Sequence, residues 1–141
     1  DCCRWFYNTV RYTDMKKIMI IEDSKDLRDI YKISFERAGF EVLLEGDGLD
    51  GISSVIDCNP DLVILDIMMP NMDGFAFLRS LKENTSISIP VVVCSNLSDA
   101  ETIDRAKREG ATEVLLKADY SGRQLVDKIS IILERLSSKR S

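Results

Sequence analysis

Five short apolar runs, each ending in polar residues and separated from the next by a stretch of helical spacing, constrain this chain more than any other feature. The third run is the clearest. Leu62-Val63-Ile64-Leu65 is apolar without interruption, the mark of a strand buried on both faces. It runs straight into Asp66, and the chain then turns through Pro70 and Asp73-Gly74. A carboxylate at the exit of a buried strand is costly to desolvate, and Asn or Ser could fill a purely structural role there at lower cost. In an open parallel sheet, that edge is where ligands bind. Asp66 is therefore the leading candidate for chemistry.

The other runs place four more strands. Lys17 to Ile21 is the first and leads into Glu22-Asp23, and Phe40 to Leu44 is the second. The third, with its flanking acids, spans Asp61 to Asp66. Pro90 opens the fourth, Val91 to Cys94, which ends on Ser95-Asn96; Thr112 to Leu116 is the fifth and ends on Lys117. Between them, Ser24 caps a helix with Leu27, Ile30, Tyr31, Ser34, Phe35 and Ala38 at helical spacing and Gly39 as its stop. Gly48 to Cys58 is a short helix closed by Asn59-Pro60, and Phe75 to Asn84 is the next. Ser98-Asp99-Ala100-Glu101 reads as a capping box for a helix ending at Glu109-Gly110. Ser121 begins a last helix with Leu125, Ile129, Ile132, Leu133 and Leu136 on one face, and the residues after it are polar and expected to fray. Strands alternating with helices predict an α/β fold: a five-stranded parallel sheet with helices on both faces, in (βα)5 order.

A length of 141 residues is one domain with a full core. Residues 1–14 show no period and precede a natural start at Met15, so we read them as an extension or an expression remnant. Residues 15–137 form the domain, and 138–141 a polar tail. A net charge of −5 argues against direct nucleic-acid binding, which needs a basic face. No stretch approaches the roughly 20 apolar residues of a membrane span. Cys2, Cys3, Cys58 and Cys94 show neither CxxC spacing nor a disulfide framework, which suggests a reducing cytoplasm. The chain has no histidine, which removes Ser-His-Asp hydrolysis, most zinc sites and any phosphohistidine role for this chain.

Glu22-Asp23, Asp66, Ser95 and Lys117 end four separate strands at one edge of the predicted sheet. Two or three carboxylates converging in one cleft repel one another unless a cation joins them. Oxygen ligands without His or Cys select a hard ion, and few protein ligands with room for water favour Mg²⁺. With a metal, the Lys117 ammonium and the Ser95 hydroxyl, three oxygens of a phosphoryl group could be held while Asp66 acts as nucleophile.

The pattern resembles the receiver domain of two-component response regulators, over about Lys16 to Leu136. The resemblance rests on Glu22-Asp23, Asp66, Met69-Pro70-x-Met72-Asp73-Gly74, Ser95 and Lys117, in order and without large gaps. It implies a flavodoxin-like fold and a signalling switch rather than an enzyme. Asp66 would accept phosphate from a histidine on a partner kinase or phosphotransfer protein. Asp23, Asp66 and the Met68 backbone carbonyl would bind Mg²⁺, with Glu22 acting through water. Ser95 and Lys117 would hold the phosphoryl oxygens. The output would be a downstream effector protein or a domain not included in these residues.

Two positions depart from the pattern. Val114 stands where the family usually has an aromatic ring, and Ala118 where a proline, often cis, follows the lysine. A cis bond to alanine would cost roughly 2.5–4 kcal/mol. Neither change touches phosphoacceptance; both bear on the output switch, leaving room for a phosphorylation-independent binding module. A haloacid-dehalogenase-type phosphatase is the enzymatic rival, but it wants Asp-x-Asp after its first strand, and Glu22-Asp23-Ser24 does not supply it. Met68 and Leu97, two residues beyond the acceptor and the hydroxyl, are apolar and poor at orienting a water, so slow loss of phosphate is expected. Gly46-x-Gly48-x-x-Gly51 matches a dinucleotide fingerprint, but follows the second strand and carries Asp47 and Asp50 where a pyrophosphate would sit. Tight turning and close packing explain those glycines better. Cys94, in a buried strand, reads as a small apolar filler.

Overall fold

The apolar runs assemble into one parallel sheet of order β2-β1-β3-β4-β5. A computed structural model of the chain describes residues 15–69, 72–84, 87–96 and 99–140. The strands are β1 Lys17–Ile21, β2 Glu41–Glu45, β3 Leu62–Leu65, β4 Val91–Ser95 and β5 Glu113–Leu116. The helices between and after them are α1 Lys25–Arg37, α2 Gly48–Cys58, α3 Gly74–Glu83, α4 Ala100–Arg108 and α5 Gly122–Arg140. A single 3₁₀ turn, Lys117–Asp119, joins β5 to α5. The expectations for residues 1–14 and for Pro70, Leu97 and Ser98 lie outside the described residues.

Alternation along each strand divides the interior into two layers. Ile18, Ile20, Leu62, Ile64, Val92 and Cys94 face α1 and α5, where Phe35, Leu125, Ile129 and Ile132 close the core. Met19, Ile21, Val63, Leu65, Val91 and Val93 face α2, α3 and α4, against Val55, Phe77, Leu78 and Ala106. Phe35 and Phe77 are fully buried, one anchoring each layer. Each such side chain contributes roughly 1.5–3 kcal/mol by leaving water.

Side-chain caps set most helix starts. Ser24 Oγ accepts from Leu27 N at 3.4 Å, Asp47 from Asp50 N and Asp73 from Ala76 N, both at 2.9 Å. The fourth cap corrects the sequence reading. It falls on Asp99, which takes the Thr102 amide at 2.9 Å, because an Asp at the cap already satisfies that donor. The reciprocal box appears instead at α5, where Ser121 N donates to Gln124 Oε1 and Gln124 N to Ser121 Oγ. Gly39 and Gly110 follow α1 and α4 with φ of +94° and +112°, the left-handed stop that glycine adopts without strain.

Three further boundaries differ from the sequence reading. Phe40 lies outside β2 and packs edge-on against Phe35, ring centroids 5.6 Å apart. Asp61 lies outside β3, and its carboxylate accepts from Lys17 N at 2.7 Å across the amino edge of the sheet. The residues after Leu136 continue α5 rather than fraying, as far as Arg140. Cys94 is buried and free, its thiol pushed up to about 12 first of all by burial, so it is an inert filler as expected. Cys58 closes α2 and is buried. Among the described residues no helix is long and apolar enough to cross a membrane.

Candidate functional site

The winding reverses at β1, with β2 on one side and β3 on the other, so the crevice of this sheet opens beyond the ends of β1 and β3. Sheet pairing continues one residue past each strand. Glu22 N donates to the Glu45 carbonyl and Asp66 N to the Ile21 carbonyl, both at 3.0 Å. That register places the two acids side by side. One oxygen from each of Glu22, Asp23 and Asp66 lies within 4.8 Å of the others, with Glu22 and Asp66 buried and Asp23 exposed.

Lys117 reaches this cluster from the end of β5. Its Nζ is 2.6 Å from Glu22 Oε1 and 3.4 Å from Asp66 Oδ2. Glu22 Oε2 accepts from Ser24 N at 3.0 Å, and Asp66 Oδ1 from Met68 N at 3.3 Å. Burial pushes the Glu22 carboxyl above its usual range, and the Lys117 hydrogen bond offsets this only in part. Asp66 is raised for the same leading reason, again against the pull of Lys117. Burial alone would lower Lys117, but the two carboxylates outweigh it and hold the ammonium above its ordinary value.

Lys117 thus pairs with the two buried carboxylates, Glu22 and Asp66, and with Asp23 beside them the cluster carries more negative than positive charge. A hard divalent cation with oxygen ligands is the species that removes the imbalance, so the residues present fit Mg²⁺.

The remaining predicted residues fall around this centre. Ser95 ends β4, is 1% exposed, and is register-paired with Leu116, the residue before Lys117. The Met68 side chain is 65% exposed on the rim. Val114 packs partly buried against the α2–α3–α4 layer, and no peptide bond among the described residues is cis, Lys117–Ala118 included. A Cβ at Gly48 would come 2.7 Å from the Met72 carbonyl oxygen, and one at Gly51 2.6 Å from Ile21 Cδ1, which fits the close-packing reading of these glycines. A cavity of about 350 Å³ lined by Leu81, Ile89 and Gly110 lies by the amino-terminal end of β4, away from the acids.

Two features escaped sequence reasoning. The Lys117–Glu22 pair joins residues 95 apart in sequence, and nothing local announces it. Arg28 of α1 donates through Nη1 to the carbonyls of Glu22, at 2.7 Å, and Asp23, at 3.1 Å. An arginine in the second turn reads as a solvated helix face; the usable signal is that helical side chains lean back toward the N-terminus, here toward the acids.

A doubly wound parallel sheet with an acid cluster and a lysine at its switch point belongs to the flavodoxin-like class. The sequence model of the response regulator receiver domain matches residues 18–130, and the chain belongs to that family. It is 31% identical over 119 residues to protein PilG of Pseudomonas aeruginosa, covering 83% of this chain and 87% of PilG. It is 30% identical over 122 residues to the transcriptional regulatory protein CseB of Streptomyces coelicolor, covering 86% of this chain and 51% of CseB. The chain thus spans about half the length of CseB, as it does of the transcriptional regulator RpaA of Synechocystis. The structure of chemotaxis protein CheY4 of Vibrio cholerae superposes with a TM-score of 0.77 at 25% identity, over 82% of this chain and 97% of CheY4. The receiver domain of Francisella response regulator 1452 gives 0.78 at 26% identity, over 86% and 98%. Such domains are phosphorylation-dependent switches of two-component signalling rather than enzymes with a turnover substrate.

Proposed function

We propose that Asp66 is the phosphoacceptor of this domain, that Mg²⁺ is its cofactor, and that the donor is a phosphohistidine on a sensor kinase or phosphotransfer protein. The observation that carries the reading is the convergence of Glu22, Asp23 and Lys117 on the Asp66 carboxylate. An Asp66 oxygen attacks phosphorus, the P–N bond to the donor imidazole breaks, and its electron pair leaves on the ring nitrogen. Asp23, Asp66 and the Met68 carbonyl are the direct metal ligands in this reading, with Glu22 acting through water. The bound ion would neutralise charge on the phosphoryl oxygens. Lys117, now 2.6 Å from Glu22, turns toward a phosphoryl oxygen, and the Ser95 hydroxyl donates to another.

Output passes to an effector protein or to a further domain, as the half-length match to transcriptional regulators suggests. Direct nucleic-acid contact by this acidic domain is not part of the proposal. We place it in the cytoplasm on the ground of its phosphodonor.

Incubation with acetyl phosphate and Mg²⁺, followed by intact-mass measurement, tests the reading; an unmodified chain at saturating donor would refute it. Asp23→Ala is expected to weaken Mg²⁺ binding and lower labelling together while melting as the parent does. Unchanged metal affinity in that variant would remove Asp23 from the ligand set. Met68→Asn is expected to hasten loss of phosphate by up to about tenfold, the effect of about 1.4 kcal/mol from a better-oriented water. Decay of the labelled variant at the parent rate would show that Met68 does not shield the phosphoryl group.

A further inference from the structure

We propose that Arg28 is a positioning residue for the acidic pair, setting the cation affinity of the site through the backbone of Glu22 and Asp23. The inference rests on the reading of Glu22, Asp23 and Asp66 as the Mg²⁺ site. One guanidinium nitrogen donates to two consecutive carbonyls, Glu22 O at 2.7 Å and Asp23 O at 3.1 Å. Consecutive carbonyls point to opposite sides of an extended chain. Both can reach one nitrogen only where the chain bends, and residue 23 is a bend. Bonds from a charged donor are roughly twice as strong as neutral ones, so this contact holds the turn that aims the two carboxylates.

Two other contacts make Arg28 part of a frame. Ser24 donates its amide to Glu22 Oε2 and caps α1 through its hydroxyl, tying the Glu22 side chain to the helix that carries Arg28. On the far side, a Cβ at Gly46 would lie 3.2 Å from Arg28 Nη1, closer than side chains normally approach. The first glycine of the Gly46–Gly51 stretch thereby leaves room for the guanidinium. Groups that orient metal ligands from behind typically cost about 10–100-fold in affinity when they are mutated.

Charge and positioning act in opposite directions here, which makes the inference sharp. A guanidinium beside a cation site repels the cation, so a merely electrostatic Arg28 would lower affinity and its removal would tighten binding. A positioning Arg28 does the reverse. The experiment is calorimetric Mg²⁺ titration of the full chain, the Arg28→Ala, Arg28→Lys and Gly46→Ala variants, and Asp23→Ala, with melting curves for each.

Arg28→Ala is expected to weaken Mg²⁺ about tenfold, at the low end for such supporting groups. Arg28→Lys, which keeps a donor, should recover part of the loss, and Gly46→Ala should weaken binding with Arg28 still present. Equal or tighter binding by folded Arg28→Ala overturns the proposal. If that variant does not fold, Gly46→Ala decides: parental affinity there overturns it. A parent that binds no Mg²⁺, or binds it unchanged after Asp23→Ala, instead removes the metal-site reading on which the proposal stands.

Discussion

Asp66→Asn is expected to take up no detectable phosphoryl group from acetyl phosphate, and to fold at least as stably as the parent. The amide matches the carboxylate in shape but offers no anionic oxygen to attack phosphorus, so labelling is lost at the chemical step. The stability side follows from burial. Because Asp66 is raised in the folded state, chiefly by desolvation, its ionised form costs stability at neutral pH, and the cost vanishes as acid protonates it. Asparagine never carries that cost. Its advantage should therefore be present at neutral pH and shrink as the pH falls toward the range where unfolded carboxylates titrate. Intact mass and thermal melting across pH read both effects. Parental labelling of the variant would assign the phosphate to another residue.

Lys117→Met is expected to lower stability at neutral pH by about 3 kcal/mol, the low end of the cost of breaking a buried ion pair by removing one partner. The Lys117 side chain is 11% exposed and its Glu22 partner 4%, so water cannot replace the ammonium. The removed lysine leaves Glu22 and Asp66 facing each other with their desolvation uncompensated. Both acids would then be raised further, so their penalty is largest at neutral pH and is relieved as acid protonates them. Urea unfolding at several pH values should show the gap between variant and parent closing on acidification. Adding Glu22→Gln to Lys117→Met should recover part of the loss, because the amide removes one of the two charges. Mg²⁺ should stabilise the single variant by mass action at the remaining acids. A Lys117→Met chain as stable as the parent at neutral pH would mean that the pair is not a buried one in solution.

Much of the architecture was legible because burial on both faces of a parallel strand leaves a local trace. Leu62 to Leu65 and Val91 to Val93 are apolar without a break, and both are inner strands. The glycine stops after α1 and α4 were legible for the same reason, since the left-handed conformation at Gly39 and Gly110 is a property of single residues. Helix starts were less so. Adjacent Ser98 and Asp99 both qualify as caps by type, and only the built turn shows that Asp99 takes the Thr102 amide. Phe40 fits a strand by composition, yet leaves β2 because the Phe35 ring is there to pack against.

The sequence by itself determined which residues could do chemistry: acids after the first and third apolar runs, a serine after the fourth, a lysine after the fifth, and no histidine. It determined the alternation that makes the sheet parallel, and so that these residues share an edge. Only the tertiary structure decided how they meet. Strand order sets β1 between β2 and β3, and register carries Glu22 and Asp66 one paired residue beyond their strands. Those facts bring Lys117 to 2.6 Å from Glu22 but 3.4 Å from Asp66, and turn Arg28 back onto the carbonyls of the acidic pair. The physical reason is range. Propensity and periodicity act over a few residues, whereas the partner of a buried charge is chosen by desolvation and packing between segments far apart along the chain.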